Sequence, residues 1–217
     1  MTVPPLIILA SNSPRRKELL GWTGLDFTVQ PADIDESILP EETPQAYVSR
    51  LALQKAQAAS NHNPGRMVLA ADTTVADQGQ ILGKPLNEEE AGRMLDQLRG
   101  HVHQVHTALA LIDTASGRTA TELCTTPVEM REYTRGEIND YIATGDPLDK
   151  AGAYAIQHAG FHPVVNMNGC FACVIGLPLC HLLRGMRELG FEPQSEIPQI
   201  CQQNLKYDCP VTRDILE

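Results

Sequence analysis

The residues able to do chemistry gather first in Ser11-Asn12-Ser13-Pro14-Arg15-Arg16-Lys17, where two hydroxyls and three cations follow the apolar run Leu6-Ile7-Ile8-Leu9-Ala10. A buried strand running into a helix capped by Ser13, with Pro14 at the first helical position, leaves backbone N–H groups unpaired. The positive end of the helix dipole adds to them, so the corner attracts anions before any side chain is counted. Arg15 and Arg16 present planar forks that match phosphate oxygens. The chemistry expected here is phosphate binding, with Ser11 and Ser13 at the helix head.

Further along, Ala32-Asp33-Ile34-Asp35-Glu36-Ser37 is an acidic loop. It reads as solvated surface, although clustered hard oxygens are also what Mg²⁺ or Mn²⁺ requires. Lys55 lies in the apolar stripe of a helix, where an ammonium either snorkels to water or projects into a cleft as a charge for phosphate. Asp72 follows the apolar run Met67–Ala71, a place where aspartate is disfavoured and is either functional or turn-forming. The turn Asp77-Gln78-Gly79-Gln80 sends the chain back through Ile81 and Leu82, bringing Lys84 toward Asp72. Gln157 offers a donor and an acceptor of the kind that reads a nucleobase edge, or is a polar strand residue.

The elements that must position these groups alternate between short strands and helices. Helices are expected from Ser13, from Thr43-Pro44 to about Ser60, from the capping box Asn87–Glu90 to Gly100, and from the capping box Thr134–Glu137 to Gly145. Strands are expected over 6–10, 27–29, 67–71 (running into 72–76, with Asp72 at the strand end), 102–112 and about 119–130, with another beginning at Val164-Val165. The loop 146–157 should feed a strand, and a last helix should run from Gly176-Leu177-Pro178 through Gly190. The remaining residues, from Phe191, are rich in Pro and Gln and read as an irregular tail. His101, His103 and His106 could be taken for a metal cluster, but strand geometry puts His103 and His106 on opposite faces.

Bulk composition narrows the function. The chain has 217 residues, 42% of them hydrophobic and 20% charged, with a net charge of −10. That describes a globular domain with an ample core. The negative charge argues against a nucleic-acid polymer as partner and favours a small anion held in a local basic cleft. No apolar run is long enough to span a bilayer, and the first residues lack a signal peptide's charged start. A cytoplasmic location is therefore expected, with the six cysteines as thiols or ligands more often than disulfides.

Taken together, these motifs resemble the Maf family of nucleoside triphosphate pyrophosphatases, relatives of the inosine triphosphate pyrophosphatases. The resemblance rests on Leu9–Leu20, Asp35-Glu36-Ser37, Arg50–Ala56, Ala71-Asp72-Thr73, Gly83-Lys84-Pro85, Asp149–Gln157 and Gly176-Leu177-Pro178-Leu179, in that order. It implies an α/β fold, a long twisted mixed sheet flanked by helices, with two lobes and a central cleft. It places the enzymatic domain at 1–190 and leaves 191–217 as a cysteine-containing C-terminal tail. The implied reaction hydrolyses a nucleoside triphosphate to the monophosphate and pyrophosphate, with a divalent metal, Mg²⁺ or Mn²⁺. Asp72 resembles the family's proton acceptor and could equally serve as a metal ligand, with Glu36 sharing the metal and Lys84 completing the catalytic set. Arg15, Arg16, Lys55 and Lys84 would hold the phosphates. Arg15, Thr73 and Gln157 match the branch that cleaves dTTP and UTP. A homodimer is implied as well. A nucleotide-sensing cell-division regulator using the same cleft is the alternative.

Two stretches depart from the family pattern. One is Arg99-Gly100-His101-Val102. The other surrounds Gly169-Cys170-Phe171-Ala172-Cys173, with Cys180, Cys201 and Cys209 further along. Cys170-x₂-Cys173 with two tail cysteines has the donor types for zinc or an iron–sulfur cluster, whereas Cys173 and Cys180 read equally as small buried hydrophobes.

Overall fold

The apolar strand expected over 67–71 runs on without a break through Asp72 to Asp77, and the rest of the sheet is built around it. The computed structural model describes residues 2–217. Its strands are β1 (Ile7–Leu9), β2 (Phe27–Val29), β3 (Met67–Asp77), β4 (Gln80–Leu82), β5 (Val102–Asp113), β6 (Arg118–Met130) and β7 (Val164–Met167). They form a mixed sheet in the order β2-β1-β3-β5-β6-β7, with β4 also on β3. β1 lies parallel to β2 and β3, while β5, β6, β7 and β4 pair antiparallel with their neighbours.

The register creates the cleft. β5 pairs with β3 along almost its whole length, from Met67 to Ala76. The opposite edge of β3 carries β1 only at Met67–Leu69 and β4 only at Val75–Asp77. Residues 70–74 therefore have no strand on that side. Ligands in open α/β sheets bind where strands end and the chain turns away, and the end of β1 is such a place.

The helices cover both faces. They are α1 (Pro14–Trp22), α2 (Pro44–Ser60), α3 (Glu88–Leu98), α4 (Arg135–Ala143), α5 (Phe171–Ile175), α6 (Leu179–Glu188), α7 (Ile197–Leu205) and α8 (Thr212–Leu216). The alternation of β3 sorts its side chains. Val68 and Ala70 pack with Val48, Ala52 and Ala56 of α2 on one face. Met67, Leu69 and Ala71 join Leu19, Leu109, Leu182 and Ile197 on the other. Val75 belongs instead to a second cluster with Leu95, Val105, Val128 and Tyr141. These are the cores of the two lobes, and Thr73 lies between them on the same face.

Four expectations change. Asp72 sits in the middle of β3 rather than at a strand end, so the turn-forming reading does not hold. Residues 154–157 form no strand; two short 3₁₀ turns, Asp146–Asp149 and Ala151–Ala153, lead into a turn at Ile156-Gln157. The helix α5 precedes the expected last helix. Finally, the tail is not irregular, since α7 buries Ile197 and Cys201 in the first core. No helix among the described residues is long and apolar enough to cross a membrane.

Candidate active site

The corner at the end of β1 forms as its residues dictate. The Ser13 hydroxyl accepts the Arg16 N–H at 3.4 Å, and the Ser13 N–H donates to Ser11 Oγ at 3.2 Å. Pro14 occupies the first turn of α1, where its missing N–H costs nothing. The chain thus leaves the sheet beside the uncovered edge of β3. Ser11, Ser13, Arg15, Arg16, Glu36, Lys55, Asp72, Thr73, Lys84 and Gln157 all line one cleft of about 560 Å³ at this point.

At its floor lies a chain of charges. Asp72 points to the α2 face of the sheet and is 7% exposed. Lys55 of α2, 8% exposed, donates to Asp72 Oδ1 at 2.6 Å and reaches Glu36 Oε1 at 2.7 Å. Of the two fates open to Lys55, projection into the cleft is the one observed. Burial raises the pKa of Asp72 above the ordinary aspartate value, although Lys55 and Arg16 pull against it. The Glu36 loop is held by Tyr47, whose hydroxyl donates to the Glu36 carbonyl at 3.0 Å, and by Arg50, which donates to the Ser37 carbonyl at 2.9 Å. Burial and the nearby carboxylates Asp72 and Glu36 push the Tyr47 hydroxyl up to about 12, which keeps it a donor.

On the other face of β3, Arg16 is a cross-brace. Its guanidinium donates to the Gly176 carbonyl at 2.9 Å, Thr73 Oγ1 at 3.1 Å and Ser11 Oγ at 3.2 Å. Thr73 Oγ1 also pairs with Thr107 Oγ1 at 2.9 Å, and Thr107 donates to the Cys173 carbonyl at 2.7 Å. Arg16 therefore ties α1, β3 and the end of α5 together, and burial lowers its pKa. Arg15 reaches Asp149 at 3.3 Å across the mouth of the cleft. Lys150, which sequence reasoning does not single out as a site residue, is buried and bonded to Asp146 Oδ1 at 2.8 Å and Asp149 Oδ1 at 2.6 Å. It fixes the loop that carries Asp149 to the mouth. The signal was present in Asp146, Asp149 and Lys150, two acids and a base within five residues of one loop.

Lys84 and Gln157 stand at the rim, exposed and lining the same cleft. The return through β4 carries Lys84 to the same cleft as Asp72, whose carboxylate is bonded to Lys55 rather than to Lys84. Tyr154, beside Gln157, is buried and shares a 2.8 Å hydrogen bond with His103 Nε2, and burial lowers the His103 pKa to about 4. That histidine is a neutral support for the cleft wall.

The cysteines do not form the metal set that their spacing allowed. Among the described residues, no group of three or more His, Cys, Asp or Glu side chains is placed to hold a metal ion. Cys173 is spent on the sheet, its thiol directed at the Cys124 carbonyl at 3.3 Å. Cys180 and Cys201 pack in the core of the first lobe.

A profile of the family described as Maf-like protein matches residues 6–189. The dTTP/UTP pyrophosphatase of Geobacter sp. (strain M21) is 46% identical over 184 residues, covering 85% of this chain and 95% of its own. The dTTP/UTP pyrophosphatase of Anaeromyxobacter dehalogenans (strain 2CP-C) is 45% identical over 196 residues, covering 89% and 99%. Among solved structures, the Staphylococcus aureus Ham1 protein covers 93% of this chain and 98% of its own at 15% identity and a TM-score of 0.45, a distant likeness.

Proposed function

The chain belongs to the Maf family, and on that premise we propose that it is a pyrophosphatase hydrolysing dTTP and UTP to the nucleoside monophosphate and pyrophosphate. The observation that carries this reading is the Glu36–Lys55–Asp72 chain, at the floor of a cleft headed by an arginine-bearing helix N-terminus. The names of relatives aligned along nearly their full length support the pyrimidine triphosphates as substrates.

The cleft offers each requirement of the reaction from its own residues. Arg15 and Lys84, both at the rim, take the outer phosphates, and the N-terminus of α1 with Ser11 and Ser13 receives oxygens nearer the corner. Asp72, desolvated and therefore a stronger base than a surface aspartate, accepts a proton from the attacking water. Lys55 opposes the effect of burial on Asp72 and holds Glu36 beside it. Water attack at the α-phosphorus then expels pyrophosphate. Thr73 and Gln157, which line the same cleft, are the residues we assign to the base, Gln157 being able to pair with a pyrimidine edge.

A divalent cation fits the donor set. Glu36 and Asp72 present two hard carboxylates to one point, now neutralised by the Lys55 ammonium. Mg²⁺ commonly binds through one or two carboxylates plus substrate phosphates, so a larger protein cage is unnecessary. Bound there, the cation would gather triphosphate oxygens and neutralise charge.

The deciding experiment incubates the purified chain, with Mg²⁺ or Mn²⁺, against a panel of nucleoside triphosphates and follows pyrophosphate release. Preference for dTTP and UTP is expected, and Asp72→Asn should lose most turnover while still binding nucleotide. Binding without pyrophosphate release would establish the nucleotide-sensing alternative instead.

A further inference from the structure

The cysteines stand apart from the nucleotide chemistry and from the family pattern, and their placement is unusual. Cys170, Cys180, Cys201 and Cys209 surround one apolar hollow of only about 10 Å³. A space of that size has room for about one water molecule at most, so no larger ligand is seated among the thiols. Whatever chemistry occurs there is between the thiols themselves.

Two of the four are set to react. Cys170 immediately precedes α5, and its N–H and carbonyl are both bonded to the Thr126 hydroxyl at 3.2 Å, which fixes its backbone to the sheet. Cys209 arrives from the tail. Its N–H donates to Gln202 Oε1 at 3.0 Å, and its thiol points to the carbonyl of Gly169, one residue before Cys170, at 3.8 Å. The Tyr207 hydroxyl clamps the same place, donating to the carbonyls of Met167 and Gly169 at 3.0 Å each. The Cys170 and Cys209 side chains line the same hollow, and the Cys209 sulfur lies 3.8 Å from the carbonyl that leads directly into Cys170. Cys170 is buried, whereas Cys209 is partly exposed between the exposed residues Asp208 and Pro210.

We propose that Cys170 and Cys209 are a redox-reactive thiol pair that closes to a disulfide by exchange with a low-molecular-weight disulfide, stapling the C-terminal tail to α5. The accessible Cys209 thiolate attacks one sulfur of the small disulfide, forming a mixed disulfide and releasing one small thiolate. Cys170 then attacks the Cys209 sulfur, forming the Cys170–Cys209 bond and expelling the second small thiolate. Two protein thiols are oxidised, the small disulfide is reduced, and the two protons pass to the small thiols. A hydrogen bond from the Cys124 thiol lowers the Cys170 pKa, which favours the second attack. Cys180 and Cys201 are buried, whereas Cys209 is partly exposed, so a small disulfide meets Cys209 first.

The bond would lie behind the cleft wall. Val174 and Ile175 of α5 face the cleft, and the Gly176 carbonyl that ends α5 holds Arg16. The closed loop spans about 40 residues, a length at which a cross-link stabilises appreciably.

The test treats the reduced full-length protein with oxidised glutathione. The expected product has lost about 2 Da, the mass of two hydrogens, and melts several degrees higher until dithiothreitol is added. Chymotrypsin cuts at Phe171, between Cys170 and Cys173, so peptide mapping identifies the partner of Cys170 unambiguously. Cys209→Ser should show neither the mass loss nor the rise in melting temperature. A glutathione adduct that stays on Cys209, a bond between any other pair, or unchanged thiols would each overturn the proposal. None of these readouts depends on nucleotide hydrolysis.

Discussion

At the scale of single residues, the decisive group is Asp72, because it is a carboxylate placed where water barely reaches. Burial raises its pKa, so the folded protein holds that proton more tightly than the unfolded chain does. This group therefore costs stability above its native pKa, and the cost vanishes as pH falls below its unfolded value. Activity runs the opposite way, since only the ionised form accepts a proton. The pH profile of kcat/KM should show an acid limb lying above the ordinary aspartate value of 3.8. A limb found at or below that value would refute a desolvated base. Lys55 supports a second prediction. Its ammonium occupies the point shared by Glu36 and Asp72, at 2.7 and 2.6 Å, so an arriving cation must displace it. Two unit charges 4 Å apart interact by about 4 kcal/mol at an effective dielectric of 20. Lys55→Met should thus bind Mn²⁺ alone at least about tenfold more tightly, equivalent to about 1.4 kcal/mol, while nucleotide turnover falls. Paramagnetic resonance of free Mn²⁺ measures the first effect without any substrate; an unchanged or weaker affinity would show that the carboxylates do not form the cation site.

At the scale of elements, the site exists because β1 and β4 cover different ends of β3 and leave its middle open. The closing piece is α5, whose last turn delivers the Gly176 carbonyl to Arg16. Gly176 has φ +116, and a Cβ there would sit 3.1 Å from Thr73 Oγ1 and 3.5 Å from Arg16 Nε. Gly176→Ala should cost about 1–3 kcal/mol in denaturant unfolding from backbone strain. It should also raise KM, because Arg16 and Thr73 must shift together. Much of this level was legible in the sequence. Ser13, Thr43 and Thr134 cap their helices as their residue types required, and Thr134–Glu137 is a full capping box. Asn87 caps as its type suggests, although Glu90 takes the Leu86 N–H instead of the Asn87 N–H. The helices that sequence does not reveal, α5, α7 and α8, all lack a side-chain cap. α5 begins at Cys170 with no cap, and threonines far away in sequence, Thr107 and Thr126, bind its backbone. Likewise Asp72 was visible as a misfit, but its partners Lys55 and Glu36 come from elements brought near only by folding. Local periodicity carries no signal for such meetings.

At the scale of the whole molecule, one face of the sheet bears two apolar cores with a polar seam between them. Thr73, Thr107 and Thr126 mark that seam, and the cleft opens at its Thr73 end. The first lobe is finished by the tail beyond residue 190, which sequence composition made look dispensable. Phe191, Leu205, Val211 and Leu216 pack on that core, while Ile197 and Cys201 are buried within it. Ser195 also donates to the Thr23 carbonyl at 2.6 Å, closing the tail onto the end of α1. Burying one large aliphatic side chain is worth about 1.5–3 kcal/mol, against a total stability of about 5–15 kcal/mol for a typical domain. Removing 191–217 would strip Ile197 from the core and uncover Leu19, Leu182 and Met186 beneath it. The truncated chain should therefore lose several kcal/mol, melt far lower or fail to fold, and bind a hydrophobic dye that the full chain excludes. Thermal melting followed by circular dichroism, with dye fluorescence alongside, checks both. An unchanged melt would mean that residues 1–190 are a self-sufficient domain, and that the lobe holding Arg16 and α5 does not need the tail for its shape.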